Sequence, residues 1–483
     1  MRPDLKQPTP EILARFAAIV GSKGVLTSPS DIEPYLHEWR GLYHGSTPMV
    51  LRPATTAEVS AILKLAHDER IAIVPQGGNT GLVGAQIPFE AGGEIVLSLS
   101  RMKAIRATDP IGNSLTVEAG ATLQSIQEAA AAADRLFPLS LASEGTCEIG
   151  GNIATNAGGV HVLRYGNTRD LVLGLEAVFP GGQIWNGLKT LRKDNTGYDL
   201  KQLLIGSEGT LGIITAATLK LFPRPAEVAT VFACAPSLDS AAALFSSASV
   251  KAGPMLTAFE LLPRRLLDFL KAHMPQHRDP LAAPYPWYAL FEVSSPLAEG
   301  VAERVALSIL EDAAGRGVVA DAAMAASEAQ ARAFWGLREA ASEVQKFEGG
   351  SIKHDVSVPV SAIPRFIEEA SAAVTALIPD ALPVPFGHYG DGNIHFNISQ
   401  PEGADKTAFL ARWDEVAALV HGIVREHGGS ISAEHGIGRM KATALETVKT
   451  PFELASMCAI KAAFDPRGIL NPGKLLAGFR PAG

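Results

Sequence analysis

The stretch that decides the fold reads Pro75-Gln76-Gly77-Gly78-Asn79-Thr80-Gly81-Leu82-Val83-Gly84. It follows a predicted helix that starts at Thr55 and Thr56 and a short apolar strand, Ile71 to Val74. Its glycines permit positive φ and close backbone approach, so successive N–H groups can converge on a pyrophosphate. We therefore expect a phosphate-binding loop for a nucleotide-sized ligand.

Two common nucleotide-binding motifs do not fit this loop. Its spacing, Gly78-x-x-Gly81-x-x-Gly84, differs from the Rossmann pattern Gly-x-Gly-x-x-Gly, and the residues after it are typical of loop and strand rather than helix. The nearest approach to a Walker loop, Gly182 to Thr190, has a leucine between its second glycine and its lysine. A nicotinamide site and a P-loop are therefore disfavoured.

Two further tracts of small residues follow the loop. The second tract reads Ser143-Glu144-Gly145-Thr146-Cys147-Glu148-Ile149-Gly150-Gly151-Asn152-Ile153-Ala154-Thr155-Asn156-Ala157-Gly158-Gly159 and is too long to be one turn. The third tract reads Gly206-Ser207-Glu208-Gly209-Thr210-Leu211-Gly212-Ile213-Ile214-Thr215 and runs into a predicted strand. Each tract alone is compatible with a turn that binds nothing. Together with the first loop they predict a long cofactor that several loops contact through their backbone.

A pair of histidines flanks a glycine-rich turn in Gly387-His388-Tyr389-Gly390-Asp391-Gly392-Asn393-Ile394-His395-Phe396-Asn397. If residues 390–393 form a four-residue hairpin loop, Tyr389 pairs with Ile394 and His388 lies opposite His395, with Cβ atoms roughly 4.5 to 5.5 Å apart. A carboxylate such as Glu434, in Glu434-His435-Gly436, would complete a set of two histidines and one carboxylate. Such a set leaves coordination positions open and predicts a catalytic metal site.

The alternative for this pair is that both histidines end strands and hydrogen-bond to the loop, but the facing geometry favours the metal site. Neither cysteine-rich zinc spacing nor His-Glu-x-x-His occurs in the sequence, which disfavours a zinc finger and a zincin protease. Zinc suits imidazole and carboxylate ligands and is the first expected metal, with manganese or iron as alternatives.

Composition indicates an ordinary globular protein. The chain has 483 residues, of which 47% are hydrophobic and 19% charged, enough for a large core. A net charge of −8 argues against a nucleic-acid partner. Cys147, Cys234 and Cys458 lie too far apart for a disulfide framework, and Cys147 is expected to be a small buried thiol. Because no signal peptide and no membrane span is recognisable, we expect a cytoplasmic protein.

Several motifs occur in the order of a known family. Besides the glycine loop they are the Ile149-to-Gly159 tract, the Gly206 tract, the histidine hairpin, and Leu191-Arg192-Lys193-Asp194-Asn195-Thr196-Gly197-Tyr198-Asp199-Leu200. From about residue 45 to Leu475 the chain resembles the FAD-linked D-2-hydroxy-acid dehydrogenases of the vanillyl-alcohol-oxidase flavoprotein superfamily, most closely those that act on D-2-hydroxyglutarate. The resemblance implies an α+β fold, with an FAD-binding domain of the vanillyl-alcohol-oxidase (PCMH) type and an α+β ferredoxin-like cap domain.

We predict three segments. Residues 1–222 form the FAD-binding domain, residues 223–451 form the substrate-binding cap with the metal site, and residues 452–483 return to the FAD domain. Strand and helix patterns recur between residues 228 and 325 and predict a duplicated βαβ layer in the cap. The resemblance implies that this layer is an antiparallel sheet with helices on one face and that the histidine hairpin is part of it.

The resemblance also implies where FAD binds, with its pyrophosphate on residues 77–81 and its isoalloxazine ring and ribityl chain on the later tracts. The implied cofactor-binding residues are Pro75, Gly77, Gly78, Asn79, Thr80, Gly81, Leu82, Gly84, Gly145, Thr146, Gly151, Asn152, Thr155, Asn156, Gly158, Glu208, Gly212, Ile213 and Asn471. The loop from Pro75 to Gly84 contains no histidine or cysteine, so we expect non-covalent FAD.

Two basic cap residues are candidates for binding an acid substrate. Arg338 can also be an exposed helix charge paired with a nearby glutamate, and Lys353 can lie with Asp355 on a solvent-facing strand surface. The resemblance instead implies a substrate site made of Arg338, Ser342, Lys353, Asn397 and His435. Ser342 stands where the family has threonine, which leaves the preferred chain length of the substrate open.

The expected reaction oxidises a D-2-hydroxy acid to the 2-oxo acid, with D-2-hydroxyglutarate as first substrate and D-malate or D-lactate as alternatives. A metal on His388, His395 and Glu434 would stabilise the developing alkoxide as a Lewis acid. His435 would accept the hydroxyl proton as general base, since imidazole titrates near neutral pH. Hydride would pass from C2 to flavin N5, on the D face by resemblance.

The reduced flavin then needs an electron acceptor, for which we expect an electron-transfer flavoprotein or a quinone, and relatives imply a homodimer. Two alternatives to the reaction stay open at this point. One is a glycolate or D-lactate dehydrogenase of the same superfamily, and the other is a metal-dependent hydrolase whose glycine loops bind a nucleotide substrate. A scaffold protein is disfavoured because it gives no reason for an open metal site.

Overall fold

The structure, a computed structural model, describes residues 5–480, so the outer ends of the predicted segments 1–222 and 452–483 lie outside the described residues. The chain divides into two compact units. Unit 1 consists of Met1–Ala157, Asn167–Pro223 and Glu434–Gly483, and unit 2 consists of Gly158–Gly166 and Arg224–Ala433. Each unit is therefore assembled from separate stretches of sequence.

The elements are numbered in chain order. The strands are β1 Val25–Leu26, β2 Val50–Leu51, β3 Ile73–Gln76, β4 Ile95–Ser98, β5 Ile105–Asp109, β6 Ser114–Glu118, β7 Arg135–Leu136, β8 Val172–Val178, β9 Ile184–Gly187, β10 Ile213–Lys220, β11 Phe222–Pro223, β12 Glu227–Ala235, β13 Leu256–Pro263, β14 Trp287–Ser295, β15 Ala322–Met324, β16 Ser351–Ile352, β17 Asp355–Ser357, β18 Leu382–Phe386 and β19 Asn393–Ser399. The helices are α1 Pro10–Val20, α2 Pro29–Ile32, α3 Thr56–Glu69, α4 Leu123–Ala132, α5 Ile149–Thr155, α6 Val162–Tyr165, α7 Lys201–Leu204, α8 Leu238–Ala252, α9 Arg264–His273, α10 Val301–Gly315, α11 Glu328–Glu339, α12 Ala341–Val344, α13 Ile363–Leu377, α14 Lys406–Leu410, α15 Trp413–Glu426, α16 Ala442–Val448 and α17 Pro451–Phe464.

Unit 1 contains two larger sheets. In the first, ordered β1-β2-β4-β3, strand β4 pairs in parallel with both β2 and β3. The second is antiparallel and ordered β5-β6-β10-β8-β9. The glycine loop of residues 77–84 leaves the first sheet directly after β3, and the third glycine tract leads into β10 of the second. Two of the three tracts are therefore directly connected to strands of these sheets.

Helix α3, which packs beside these strands, begins as the sequence predicts. The hydroxyl of Thr55 accepts a hydrogen bond from the N–H of Glu58 at 3.2 Å, and the Glu58 carboxylate accepts one from the N–H of Ala54 at 2.7 Å. These bonds satisfy backbone donors that have no partner inside the helix. Its buried positions recur with helical spacing and are Val59, Ile62, Leu63, Leu65 and Ala66.

The segment after α17 completes the first sheet of unit 1. Leu470 bridges to Ile73 of β3 in parallel, with the N–H of Ile73 donating to Ile469 at 2.9 Å and the N–H of Asn471 donating to Ile73 at 2.8 Å. The buried ammonium of Lys461 donates to the carbonyl oxygens of Thr210 at 2.6 Å and of Leu470 at 2.9 Å. The last part of the described chain is therefore built into unit 1.

The first sheet of unit 2 has the ferredoxin-like arrangement. Its antiparallel strands are ordered β13-β14-β12-β15, and the chain runs through β12, α8, β13, β14, α10 and β15, with α9 inserted before β14. The predicted strands and helices between residues 228 and 325 are thus found, although β15 is shorter than expected. The strands carry long buried runs and contribute to one core with the second sheet of this unit.

The second sheet of unit 2 holds the histidines. Its central strand is β19, which pairs with β16, β17 and β18. Strand β18 contains Pro383 and Pro385, which suit a sheet edge because proline cannot donate a ladder hydrogen bond. The histidine segment therefore belongs to this sheet and not, as the resemblance implied, to the first one; a single bridge from Gly387 to Leu261 links it to β13.

The predicted register of the histidine hairpin is wrong. Phe386, rather than His388, is the partner of His395. Strand β18 ends there because Gly387 has a φ of 139°, and Tyr389–Asp391 then form a 3-10 turn. A glycine can adopt that φ without the strain a side chain would cause, so the turn is longer than the four-residue loop that the sequence predicts.

Three smaller points complete the comparison of sequence and fold. Helix α5 lies within the second glycine tract and was not predicted. Cys147 is buried, as expected, and burial raises the pKa of its thiol, so it is a poor nucleophile. Among residues 5–480, no helix combines the length and the apolar character that a membrane crossing requires.

Candidate functional site

The three glycine tracts approach one another in unit 1. A Cβ on Gly78 would lie 1.9 Å from the carbonyl oxygen of Thr146, so only glycine lets the first tract lie against the second. The third tract reaches the second through the N–H of Glu208, which donates to the carbonyl oxygen of Ala154 at 2.8 Å. The side-chain amide of Asn471 donates to the carbonyl oxygen of Glu208 at 2.9 Å. A ligand that contacts all three tracts would require them to lie this close together.

Side chains hold the first loop in shape. The amide of Gln86 donates to the carbonyl oxygen of Gly81 at 2.8 Å and to the side-chain oxygen of Asn79 at 3.2 Å. Asn79 itself has a positive φ of 55° and donates to the carbonyl oxygens of Pro34 at 3.1 Å and His37 at 2.9 Å. The loop is therefore fixed without a ligand, as a preformed anion-binding loop requires.

Two observations test whether a cofactor such as FAD fits between these tracts. A Cβ on Gly151 would meet no atom within 4 Å, although Gly151 lies in α5 beside Gly77. The side chain of Glu148 is buried beside the same loop, and its Oε2 has no hydrogen-bond partner among residues 5–480. Burial raises the pKa of Glu148 to about 8, so at neutral pH it is protonated and can donate a hydrogen bond. Open space and an unused buried donor fit a large polar cofactor.

Glu208 has a role that the sequence did not indicate. Its carboxylate accepts hydrogen bonds from the N–H groups of Ile437 at 2.8 Å and Gly438 at 2.7 Å. Burial raises the pKa of this carboxyl, and those two backbone donors act in the opposite direction. Within unit 1, the third glycine tract therefore holds the chain that directly follows Glu434 and His435.

The remaining implied cofactor residues are distributed as follows. Pro75 lies in β3, Asn152 and Thr155 lie in α5, and Ile213 begins β10. Asn156 ends α5 in a left-handed conformation, with a φ of 53°. The implied cofactor residues that belong to unit 1 are Pro75, Gly77, Gly78, Asn79, Thr80, Gly81, Leu82, Gly84, Gly145, Thr146, Gly151, Asn152, Thr155, Asn156, Glu208, Gly212, Ile213 and Asn471, whereas Gly158 belongs to unit 2.

A second cluster, in unit 2, gathers the histidines and a buried arginine. The rings of His388 and His395 lie 5.4 Å apart, centroid to centroid, despite the changed register. Arg338 Nη2 lies 3.4 Å from His388 Nε2, and the guanidinium stands over the ring of Phe386 at 5.0 Å. Arg338 is only 9% exposed, so the alternative of a solvent-facing helix charge is wrong.

Glu260, on β13, bonds to both His388 and Arg338 of this cluster. Its Oε1 accepts a hydrogen bond from His388 Nδ1 at 2.7 Å, and its Oε2 accepts one from Arg338 Nε at 2.5 Å. Burial by itself would raise the pKa of Glu260, but His388 and Arg338 lower it to about 2. Glu260 is therefore a buried carboxylate ion that neutralises a buried guanidinium.

The other implied substrate residues of unit 2 are Ser342, Lys353 and Asn397. Lys353 Nζ donates to the carbonyl oxygen of Ser342 at 3.1 Å, which brings two of them together. Asn397 is buried on β19, two residues after His395 and so on the same face. The solvent-facing alternative for this strand is wrong at Asp355, which is 2% exposed, with Oδ1 at 3.8 Å from His395 Nδ1.

Glu434 and His435 lie at the start of the last stretch of unit 1. The preceding residue, Ala433, ends unit 2, and its N–H donates to Asp355 Oδ2 at 3.2 Å. Glu434 thus directly follows, in sequence, the residue whose N–H bonds to Asp355. His435 Nε2 lies 3.9 Å from Glu434 Oε1.

Sequence reasoning missed two carboxylates of this cluster. Asp355 was noted only as part of an alternating strand, although its neighbour in the pattern, Lys353, was a candidate. Glu260 had no local signal, because it lies in an apolar strand 128 residues before His388. A charged residue inside such a strand, Leu256–Pro263, is the one feature that could have drawn attention to it, since buried charges occur with partners.

Comparison with known proteins gives the family. The family model described as "FAD binding domain" matches residues 47–187. The family model described as "FAD linked oxidases, C-terminal domain" matches residues 224–475. The mitochondrial D-2-hydroxyglutarate dehydrogenase of Arabidopsis thaliana is 38% identical over 95% of this chain and 80% of its own length. The D-2-hydroxyglutarate dehydrogenase of Xanthomonas citri pv. viticola is 38% identical over 96% of this chain and 97% of its own.

Solved structures support the fold. p-Cresol methylhydroxylase with bound substrate superposes with a TM-score of 0.75 over 96% of both chains, at 16% identity. Alkyldihydroxyacetonephosphate synthase superposes with a TM-score of 0.74 over 97% of this chain and 86% of its own, at 18% identity. The predicted fold class is therefore confirmed.

The chain belongs to the FAD-linked oxidase family, and the resemblance to its D-2-hydroxy-acid dehydrogenases that the motifs indicated is confirmed. It is an FAD-binding oxidoreductase of that group.

Gly151 offers a direct test of the cofactor cradle. In the Gly151→Ala variant we expect the dissociation constant of FAD to rise about tenfold to a hundredfold, because overpacking costs about 1–3 kcal/mol. The FAD-free variant should unfold at an unchanged or higher temperature, since the new Cβ meets only open space and alanine is favoured in helices. FAD release monitored by flavin fluorescence gives the constant.

Gly422→Ala is the matched control. Gly422 is also a helical glycine with open space around its Cβ position, but it lies in α15 of unit 2. FAD should bind this variant as it binds the parent protein. Equal FAD affinity in the two variants would show that the space beside Gly151 is not filled by the cofactor.

Proposed function

We propose that this protein oxidises a D-2-hydroxy acid to the 2-oxo acid and that D-2-hydroxyglutarate is its first substrate. The observation that carries the proposal is the position of Arg338, whose buried guanidinium lies 3.4 Å from a nitrogen of His388. A carboxylate-binding group thereby stands beside a residue with the chemistry of a metal ligand. The names of the relatives, which cover almost the whole chain, support the substrate.

A second cation favours a dicarboxylic substrate. Lys353 donates to the carbonyl oxygen of Ser342, which lies one helical turn after Arg338, so both cations are found at the junction of α11 and α12. Two cations match the two carboxylates of D-2-hydroxyglutarate, whereas D-lactate or glycolate has only one carboxylate to bind. The buried amide of Asn397 adds a neutral hydrogen-bonding group on the neighbouring strand.

The donor set also fits a divalent metal. When held by His388, His395 and Glu434, such an ion supplies a Lewis acid for the 2-hydroxyl group, and imidazole with carboxylate favours zinc over manganese or iron. The peptide link between Ala433, which bonds to Asp355, and Glu434 supports the inclusion of Glu434. Asp355 Oδ1 lies 3.8 Å from His395 Nδ1 and so places a carboxyl group beside this proposed ligand.

A side chain of the protein is proposed to accept the proton of the 2-hydroxyl group. His435 is proposed as the general base that accepts the hydroxyl proton, because a neutral imidazole can take a proton at neutral pH. His435 Nε2 lies 3.9 Å from Glu434 Oε1, so the proposed base stands directly beside a proposed metal ligand. FAD, when bound on the glycine tracts, supplies the two-electron acceptor for hydride from C2.

Several expectations from the sequence stay proposals. They are the domain limits 1–222, 223–451 and 452–483, the cytoplasmic location, the homodimer, and an electron-transfer flavoprotein or quinone as electron acceptor. The eukaryotic relative from Arabidopsis thaliana is mitochondrial by name, so location differs within the family.

Anaerobic reduction of the bound flavin tests the proposed function. The FAD-loaded protein is mixed with D-2-hydroxyglutarate, D-malate, D-lactate, glycolate or L-2-hydroxyglutarate, and loss of the flavin absorbance is followed. We expect the largest ratio of reduction rate to dissociation constant for D-2-hydroxyglutarate and no reduction by the L form. More efficient reduction by D-lactate or glycolate would assign the protein to the sister dehydrogenases, and a protein that stays colourless after addition of FAD would exclude the dehydrogenases altogether.

A further inference from the structure

We propose that Glu260 is a positioning residue that orients the proposed metal ligand His388 and the proposed substrate-binding residue Arg338 at the same time. The inference rests on the proposed function, because it concerns the roles given there to those two residues. Glu260 is 0% exposed on β13, and each of its carboxylate oxygens bonds to a different partner. No motif of the sequence pointed to it.

The first bond selects a tautomer of His388. Because Glu260 Oε1 accepts from Nδ1 at 2.7 Å, the ring proton belongs on Nδ1 and the lone pair belongs on Nε2. A histidine that binds a metal through one nitrogen commonly donates its other N–H to a carboxylate, which fixes the ring orientation and raises the basicity of the ligand. Glu260 therefore prepares Nε2 as the metal-binding atom.

The second bond fixes the direction of Arg338. Oε2 accepts from Nε at 2.5 Å, and this leaves Nη2 facing His388 Nε2 at 3.4 Å. The ring of Phe386 at 5.0 Å covers one face of the guanidinium. The end of Arg338 that could bind a carboxylate and the lone pair on His388 Nε2 therefore face the same point.

A purely structural ion pair explains less of this geometry. Replacing a buried ion pair by apolar residues is often neutral or stabilising, so a buried pair is weak support for a role in stability alone. A pairing of Glu260 with Arg338 alone could use both carboxylate oxygens on the guanidinium in a bidentate arrangement. The structure instead divides the two oxygens between two groups with different proposed tasks.

The test is the affinity of the chelator-treated, FAD-containing protein for zinc, measured by competition with a chromophoric chelator. In Glu260→Gln one amide oxygen replaces two carboxylate oxygens, so only one of the two partners can keep its acceptor. We expect zinc affinity to fall about tenfold to a hundredfold, the usual effect of removing a group that orients a metal ligand. Glu260→Asp, which keeps the charge but is shorter, should also lose tenfold or more and serves if the glutamine variant does not fold.

Glu292→Gln is the matched control. Glu292 is another buried carboxylate of the same sheet, on β14, and it bonds to Trp335 at 2.7 Å and Thr230 at 2.8 Å. None of these residues belongs to the proposed site, so zinc affinity should match that of the parent protein. Equal losses in Glu260→Gln and Glu292→Gln would overturn the inference, because they would show a general effect on the sheet.

The His388→Ala variant distinguishes a failure of the inference about Glu260 from a failure of the proposed metal site on which that inference rests. If His388→Ala loses zinc binding but Glu260→Gln binds zinc like the parent, His388 keeps its proposed role and the inference about Glu260 fails. If His388→Ala binds zinc like the parent, the proposed metal site itself is wrong. The effect of Glu260 on Arg338 is tested separately in the Arg338→Met variant. Adding Glu260→Gln to that variant should weaken zinc binding further but should not raise the KM for D-2-hydroxyglutarate.

Discussion

Exhaustive chelation is expected to abolish turnover of D-2-hydroxyglutarate while the protein stays folded and yellow. The metal would stabilise the alkoxide at C2, and Lewis-acid stabilisation worth several kcal/mol corresponds to a loss on the order of 10³-fold or more. The implied FAD-binding residues other than Gly158 belong to unit 1, where hydrogen bonds hold the tracts, so flavin content should not change. Turnover with an artificial electron acceptor and the flavin spectrum, recorded on one sample, give both results.

Readdition of zinc should restore turnover in the chelated parent protein but not in His395→Ala, because that ring should supply one of the metal ligands. His273→Ala is the control, since His273 is exposed, pairs with Glu348 at 2.6 Å and is not one of the proposed metal ligands. Its turnover should match that of the parent. Full activity in protein shown by elemental analysis to contain no metal would refute the assignment of the histidines.

Replacing His435 with asparagine is expected to lower kcat by about 10²-fold or more, the usual contribution of a positioned general base. Asparagine keeps a polar side chain after Glu434 but cannot accept the hydroxyl proton at neutral pH. FAD and metal content should stay at the parent level, because neither set of proposed ligands includes His435.

Stopped-flow mixing under anaerobic conditions isolates the step in question. Flavin reduction by substrate should slow by the same factor as kcat, and the rise of the parent's reduction rate with pH should flatten in His435→Asn. His273→Asn provides the matched control and should reduce its flavin at the parent rate. If His435→Asn reduces its flavin as fast as the parent, another group takes the proton.

The flavin-binding half was predictable because its signal is local. Glycines with positive φ and close approaches, such as Gly84 with φ 71° and Gly78 against Thr146, must be present wherever the backbone takes those shapes. The tracts could therefore be recognised one by one, and their gathering followed from their number. Even so, helix α5 was missed, because its glycines and asparagine disfavour a helix when read without the surrounding packing.

The sequence predicted that His388 and His395 lie close together, but not with the geometry that the structure has; their role as metal ligands stays a proposal. The register of His388 depends on where β18 ends, and that is set by Gly387 and a 3-10 turn rather than by hydrophobic alternation. The two rings nevertheless meet, at 5.4 Å between centroids. The pairing of Glu260 with His388 could not be found from sequence, because the two residues lie 128 positions apart.

The bridge between Ile73 and Leu470 has a consequence for how the protein is made in a cell. Until Leu470 leaves the ribosome, β3 presents an unpaired edge, and such edges invite pairing with other chains. Ribosomes add roughly 5–20 residues per second, so the edge stays open for roughly 20 to 80 seconds while the residues between Ile73 and Leu470 are synthesised. Faster elongation or chaperone cover during that interval should therefore decide how much newly made protein escapes aggregation.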